Sequence, residues 1–135
     1  MLRRIGHHGI AATEFAVVAP VLLLLLLGSF DIANLVQTSI RLERAARAGA
    51  QFATASATDM EAIRGRVIAA WPELTMADVP TPALACECSG VTVACSETCA
   101  GGVVRIITVT AQRSLSPYLL QAASLGRGSA VVRLR

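Results

Sequence analysis

The sequence predicts an α+β fold: a long N-terminal transmembrane helix that continues into a small domain with a short second helix and an antiparallel sheet of about 3–4 strands. Three observations predict it. An apolar run opens the chain, a 3–4 spacing of apolar residues follows it, and short β-rich segments separated by glycine turns fill the C-terminal half. Hydrophobic residues make up 54% of the 135 residues. Because the excess lies at the N-terminus, we expect one domain plus a membrane anchor.

The first element is predicted to be one helix from Ile10 to about Ala57. Its first part, residues 10–30, is apolar and about 21 residues long, which at about 1.5 Å per residue spans a bilayer core of roughly 30 Å. Pro20 removes one backbone hydrogen bond and is a position for a kink. Asp31 and Asn34 are predicted to mark the exit into water. Residues 10–30 are therefore assigned as the transmembrane helix and residues 31–57 as its continuation outside the membrane.

One face of this continuation is mostly apolar, and past residue 45 it is built from small residues. Small residues allow another backbone to approach closely, so we expect helix packing here, either within the domain or between subunits. Glu43 and Arg47 are four residues apart and are predicted to form a solvated ion pair. The face consists of Ile32, Leu35, Ser39, Leu42, Ala46, Gly49 and Ala53.

Residues 58–135 are predicted to form the small α+β domain. Thr58-Asp59 is expected to cap a helix from Asp59 to Ala70, which Trp71-Pro72 ends. Its predicted apolar positions are Met60, Ile63, Val67, Ile68 and Trp71.

The rest of this domain has the composition of short strands. Ser89-Gly90 predicts a two-residue hairpin, Ala100-Gly101-Gly102 a second turn, and residues 115–125, broken by Pro117, a connection. Gly126-Arg127-Gly128 is interpreted as a further turn. The predicted strands cover residues 84–88, 91–95, 103–112 and 129–135.

The four cysteines, Cys86, Cys88, Cys95 and Cys99, have the spacing C-x-C-x6-C-x3-C. Two disulfides are favoured, because a domain this small benefits from cross-links and disulfides persist outside the cytoplasm. A zinc site and free thiols are the alternatives, but C-x-C is tighter than the usual zinc spacing. Cys86 and Cys88 are too close along a strand to join each other, so each is expected to pair with Cys95 or Cys99.

Composition argues against several function classes. The net charge is +3, but the arginines are scattered and aromatic residues make up only 4% of the chain, so we expect no nucleic-acid partner. The two histidines, His7 and His8, both precede the apolar run, so residues 10–135 supply no histidine for acid–base chemistry. The isolated acids Glu73, Asp78, Glu87 and Glu97 are expected to be solvated. No enzyme activity, cofactor or metal is predicted.

The N-terminus itself allows three interpretations. A cleaved secretory signal lacks a small-x-small site after Leu27. A plain membrane anchor explains the apolar run but not Glu14, since a charge in lipid is costly and usually functional. The segment from Gly9 to Phe15 instead resembles the prepilin processing site of the type IV pilin superfamily. That resemblance implies a leader, residues 1–9, that a membrane peptidase removes between Gly9 and Ile10.

The residues that follow resemble the TadE-like family, minor pilins or pseudopilins of tight-adherence (Flp pilus) systems. The similarity lies in Glu14-Phe15 and the apolar residues after them, in the leucine run 22–27, and in the alanine-rich stretch 44–50. It implies that Glu14 and Phe15 act in recognition and assembly. A carboxylate there can neutralise the α-amine that cleavage creates on Ile10 of a neighbouring subunit.

The family resemblance implies a structural subunit, and its partners and location follow. The partners would be the membrane, a prepilin peptidase, other Tad pilus subunits and the inner-membrane assembly platform. The chain would cross the inner membrane once, with a cytoplasmic N-terminus and a periplasmic C-terminal domain, and would reach an extracellular pilus after assembly. The alternative function is a membrane-anchored periplasmic binding module that is not assembled into a filament.

Overall fold

The architecture is a long helix that packs against a short helix and one face of a four-stranded antiparallel sheet. The structure, a computed structural model, describes residues 8–116 and 124–134. The elements are α1 (His8–Ala53), α2 (Met60–Ala70), β1 (Ala83–Cys88), β2 (Val91–Val93), β3 (Val104–Leu115) and β4 (Ser124–Leu134). This confirms the predicted α+β fold.

Helix α1 contains 46 residues and runs through Pro20 as one helix. At about 1.5 Å per residue it is roughly 70 Å long. It ends at Ala53, a turn earlier than predicted, because Thr54 and Ser56 join a turn whose N–H groups bond to Gln51 and Phe52 carbonyls.

Helix α2 begins where the sequence predicts. The Asp59 carboxylate accepts a hydrogen bond from the Ala62 N–H at 2.9 Å, which satisfies one of the free N–H groups of the first turn. Ile63 and Val67 are fully buried against α1, and Met60, Ile68 and Trp71 pack partly buried around them. The amphipathic pattern of this segment is therefore confirmed.

The sheet has the strand order β2-β1-β3-β4, and all its pairs are antiparallel. Ser89 and Gly90 both have positive φ, 49° and 87°, as a two-residue hairpin between β1 and β2 requires. The predicted turn at residues 100–102 is also present, with Gly102 donating to the Cys99 carbonyl at 3.0 Å.

The last two strands are longer than the sequence predicts. Leu115 pairs with Ser124 and Arg113 with Gly126, so both ends of the predicted connection belong to the sheet. The centre of that connection, including Pro117, lies outside the described residues. Gly126-Arg127-Gly128 is not a turn, as predicted, but part of β4. Period-two patterning predicted only the second half of β4, residues 129–135, because two inward positions in the first half are glycines.

The core lies between α1, α2 and the inner face of β3 and β4. Helix α1 contributes Leu42 and four alanines, α2 contributes Ile63 and Val67, and β3 contributes Ile107, Val109 and Ala111. The small-residue face of α1 thus packs within the domain. Its first two predicted members do not, since Ile32 and Leu35 are 59% and 40% exposed.

Candidate functional site

The predicted processing and assembly residues lie in the first two turns of α1. Gly9 and Ile10 belong to its first turn. Glu14 and Phe15 follow one turn later, and both side chains are exposed, that of Phe15 by 69%. Because residues i and i+4 are neighbours on a helix surface, position 14 lies on the same face of α1 as position 10.

Glu14 is surrounded on the helix surface by Thr13, Val17 and Val18. Among the residues that the structure describes, it makes no ion pair. A carboxylate on an apolar helix surface needs a positive partner or water, since an unpaired charge in a low-dielectric medium is costly. The single chain supplies no such partner within its described part.

The helix surface around and beyond Glu14 is apolar and uncovered. The six leucines 22–27 are each about half exposed, and the candidate membrane span, Ala12–Ala53, has an 18-residue apolar window of which only 6% is buried. A soluble core helix would bury such a surface. Length, composition and exposure together fit a single-pass membrane helix.

Asp31 was predicted to mark the exit of α1 into water, but the structure buries it. It is only 4% exposed, so it faces the protein and not water, whereas Asn34 is exposed. Asp31 also makes an interaction within the protein. The first acid after the membrane run is therefore covered by the fold.

Two glycines of β4 bring the sheet directly onto α1. A Cβ at Gly128 would lie 2.7 Å from the Leu42 carbonyl oxygen and still closer to the backbone atoms Leu42 C and Glu43 N. A Cβ at Gly126 would meet Leu42 Cδ1 at 3.1 Å. This contact joins the domain to the helix that carries the candidate site. Sequence reasoning missed it, although two glycines spaced i,i+2 are the expected signature of a close backbone approach in a strand.

The four cysteines form two pairs at disulfide distance. Cys86 is joined to Cys95 with a Cα–Cα distance of 5.1 Å, and Cys88 to Cys99 at 5.9 Å. This agrees with the predicted partners and selects between the two arrangements that the sequence left open. The pairs attach the loop after β2 to β1, on the side of the sheet away from β4.

Ion pairs tie the loops of the domain to its helices and strands. Glu43 and Arg47 form the predicted surface pair on α1. Glu73 and Glu87, expected to be isolated, instead bind Arg113 at 2.8 Å and Arg133 at 3.3 Å. Arg64, 16% exposed in its side chain, donates to the carbonyls of Val79 and Met76.

Asp78 is a third acid that the sequence predicted to be solvated but that has partners. Its carboxylate accepts hydrogen bonds from the Thr75 hydroxyl at 2.7 Å and the Thr75 N–H at 2.8 Å. These bonds hold the pKa of Asp78 below its usual value of 3.8. The described residues contain no group of three or more His, Cys, Asp or Glu side chains that could hold a metal ion. Glu73, Asp78 and Glu87 thus have structural partners, whereas Glu97 is exposed and forms no ion pair within the described residues. Glu14 differs from all four because it lies on an apolar helix surface.

One comparison with known proteins finds a similarity that includes the candidate site. Residues 9–51 match the family model described as TadE-like protein. No curated protein and no solved structure matches the chain. The match begins at Gly9 and ends two residues before α1 does, so it covers the candidate processing site, the apolar surface and the helix that packs on the sheet. The predicted resemblance to the TadE-like family is confirmed over residues 9–51.

Proposed function

We propose that the chain is a minor-pilin or pseudopilin-like structural subunit of a tight-adherence pilus assembly system, processed by a prepilin peptidase after Gly9. The observation that carries the proposal is the position of Glu14. It lies five residues after the glycine where the TadE-like match begins, on an exposed apolar helix surface, and it has no ionic partner among the described residues.

The chemistry of this site depends on cleavage. Hydrolysis of the Gly9–Ile10 peptide bond leaves a protonated α-amine on Ile10, one helical turn from Glu14. In an assembly, the carboxylate of one subunit neutralises the amine of the next, and the gain is large where water is excluded. The same charges are costly when separated in lipid. Pairing between subunits therefore favours transfer of α1 from the bilayer into a helix bundle.

The domain serves this role as a rigid body on the end of α1. Its core is continuous with the helix through Leu42, Gly49 and the glycine contact of β4. Two cysteine pairs cross-link the sheet edge, which suits an oxidising compartment such as the periplasm. We propose a cytoplasmic N-terminus and a periplasmic domain, with no catalytic step carried out by this chain.

Processing is tested by expressing the C-terminally tagged chain with the peptidase in an inner membrane and sequencing the product's N-terminus. The expected product begins at Ile10. Gly9→Ala should abolish cleavage, and Gly28→Ala is its matched control, because a Cβ at Gly28 meets no atom within 4 Å. A chain that keeps Met1 in the presence of active peptidase would contradict the proposal.

Assembly is tested separately, by recovery of the chain in sheared pilus fractions. Glu14→Ala and Glu14→Gln should be cleaved at a normal rate yet lower recovery at least tenfold. Glu43→Gln, at an exposed acid on the same helix, should have little effect because the ionic partner of Glu43 within the described residues is the surface residue Arg47. Normal recovery of both Glu14 variants would refute charge pairing. A cleaved wild-type chain that stays in the membrane and joins no filament would support the binding-module alternative.

A further inference from the structure

We infer that the outer bilayer boundary on α1 lies near residues 35–36, not at Phe30, and that Arg41 and Arg44 bind the phosphate groups of the lipids there. The inference rests on the membrane insertion of α1 in the proposed function. It adds a lipid-binding surface that the apolar run of the sequence did not indicate.

The part of α1 between Glu14 and Phe30 is too short to cross a bilayer. If Glu14 lies at the inner boundary, where a carboxylate costs least, then Phe15 to Phe30 covers only about 22 Å, short of the roughly 30 Å hydrocarbon core. Another five residues, to Leu35, supply the difference. The headgroup region then extends over about the next five residues, so its far side reaches Arg41 and the turn that follows.

The exposed apolar surface of α1 continues beyond Phe30. On the side of α1 away from the domain, large apolar side chains stay uncovered for ten residues past Phe30. Val36 is 51% exposed and Ile40 is 45% exposed, and the stripe ends there. It is continuous with the exposed leucines 22–27, so the same lipid phase that covers those leucines can cover it.

This stretch of α1 is almost free of charged residues. Asp31 is the only charged residue from Phe15 to Ile40. It would lie at hydrocarbon depth, but the fold covers it to 4% exposure. The stripe ends at Arg41 and Arg44, which are exposed and form no ion pair within the described residues. Two guanidinium groups at this depth complement lipid phosphates.

Site-specific quenching tests this boundary on the full-length chain. Because the native cysteines are paired, an introduced cysteine is the one free thiol for an environment-sensitive label. The variants are Leu24→Cys for the membrane centre, Val36→Cys and Ile40→Cys for the stripe, and Gln51→Cys for water. Each labelled chain is reconstituted in vesicles of phosphatidylcholine and phosphatidylglycerol at 3:1, and iodide quenching is measured.

We expect the label at Val36 to be as protected as that at Leu24, Ile40 to be intermediate, and Gln51 to be quenched at least fivefold more strongly. Protection at Leu24 with quenching at Val36 equal to that at Gln51 would overturn the inference and leave membrane insertion intact. Quenching at Leu24 equal to that at Gln51 would instead refute insertion itself. Protection at Val36 that is lost on tenfold dilution of protein in lipid would show that a second copy covers the stripe, which also overturns the inference.

The arginines are tested in the Ile40→Cys background. Arg41→Gln with Arg44→Gln should raise quenching at Ile40 at least twofold in the vesicles that contain phosphatidylglycerol. Arg105→Gln is the matched control, because Arg105 is exposed on β3, where it pairs with Leu134 at the end of β4 away from Gly126 and Gly128. Equal quenching in the double variant and the control would show that Arg41 and Arg44 do not bind lipid phosphates, which refutes that part of the inference.

Discussion

Gly128→Ala tests whether the sheet is held on α1 by direct backbone contact. A methyl group there would lie 2.7 Å from the Leu42 carbonyl oxygen, whereas ordinary contacts begin at 3.4 Å. The obstructing atoms belong to a helix backbone and cannot rotate away. Strand β4 must therefore move from α1 by close to 1 Å, a gap that forfeits about a quarter to a half of each dispersion contact.

The magnitude follows from two opposing terms. Overpacking a buried contact costs about 1–3 kcal/mol, and the backbone contact places Gly128 at the upper end. Replacing glycine also lowers the entropy of the unfolded chain, which returns about 0.4–1 kcal/mol. We expect the free energy of unfolding to fall by about 2 kcal/mol, which lowers Tm by roughly 8–16 °C for a domain of this size.

Urea unfolding of the full chain in detergent micelles measures this change. Trp71 is the single tryptophan and is half-buried beside Arg113, 5.2 Å from its ring centre, so its fluorescence reports loss of the fold. Gly65→Ala is the control, because a Cβ there meets no atom within 4 Å and alanine in a helix gains about 0.5–1 kcal/mol. If Gly128→Ala is as stable as the wild type while Gly65→Ala is stabilised, the close contact between β4 and α1 is refuted.

Three further predictions concern the domain. Replacing Cys88 and Cys99 with serine opens a loop with a sequence separation of 11 and should lower the free energy of unfolding by about 2–3 kcal/mol; an unchanged urea midpoint under oxidising conditions would contradict the pairing. Arg64→Met should cost about 1–3 kcal/mol, measured the same way, because it leaves the part-buried Val79 carbonyl without its donor; Arg66→Met, at an exposed position, is the control. Asp78→Asn should flatten the acid limb of the stability–pH profile. The lowered pKa of Asp78 means that its contribution is present above pH 3.8 and is lost as the pH falls below that value, so an unchanged acid limb would contradict the Thr75 hydrogen bonds.

Local sequence signals predicted the secondary structure where the deciding interactions are local. The cap at Asp59 and the turn at Ser89-Gly90 depend on atoms within a few residues, and both are present as predicted. Strands β3 and β4 were underestimated for the opposite reason. Their pairing, such as Leu115 with Ser124, is decided between chain segments, and glycines at inward positions removed the alternating pattern.

In the candidate site and the domain too, the sequence identified some residues, and only the structure showed the contacts between distant ones. Gly9, Glu14 and Phe15 were singled out by residue type and spacing, and all three lie within residues 9–51, which match the TadE-like family model. The cysteine pairing needed the structure, because two arrangements satisfied the spacing equally. The sequence also gave no sign of the ionic partners of Glu73 and Glu87, because Arg113 and Arg133 are distant along the chain.

By itself, the sequence determined that this protein has a long apolar helix with one acid near its start, because hydropathy and helical spacing are properties of consecutive residues. Only the tertiary structure decided which part of that helix the protein covers. Leu42 is buried by the domain, whereas Val36 and Ile40 are left open. Burial depends on what packs across from a residue, and here two glycines on a strand more than eighty residues further along the chain (roughly twice the length of α1) set that contact.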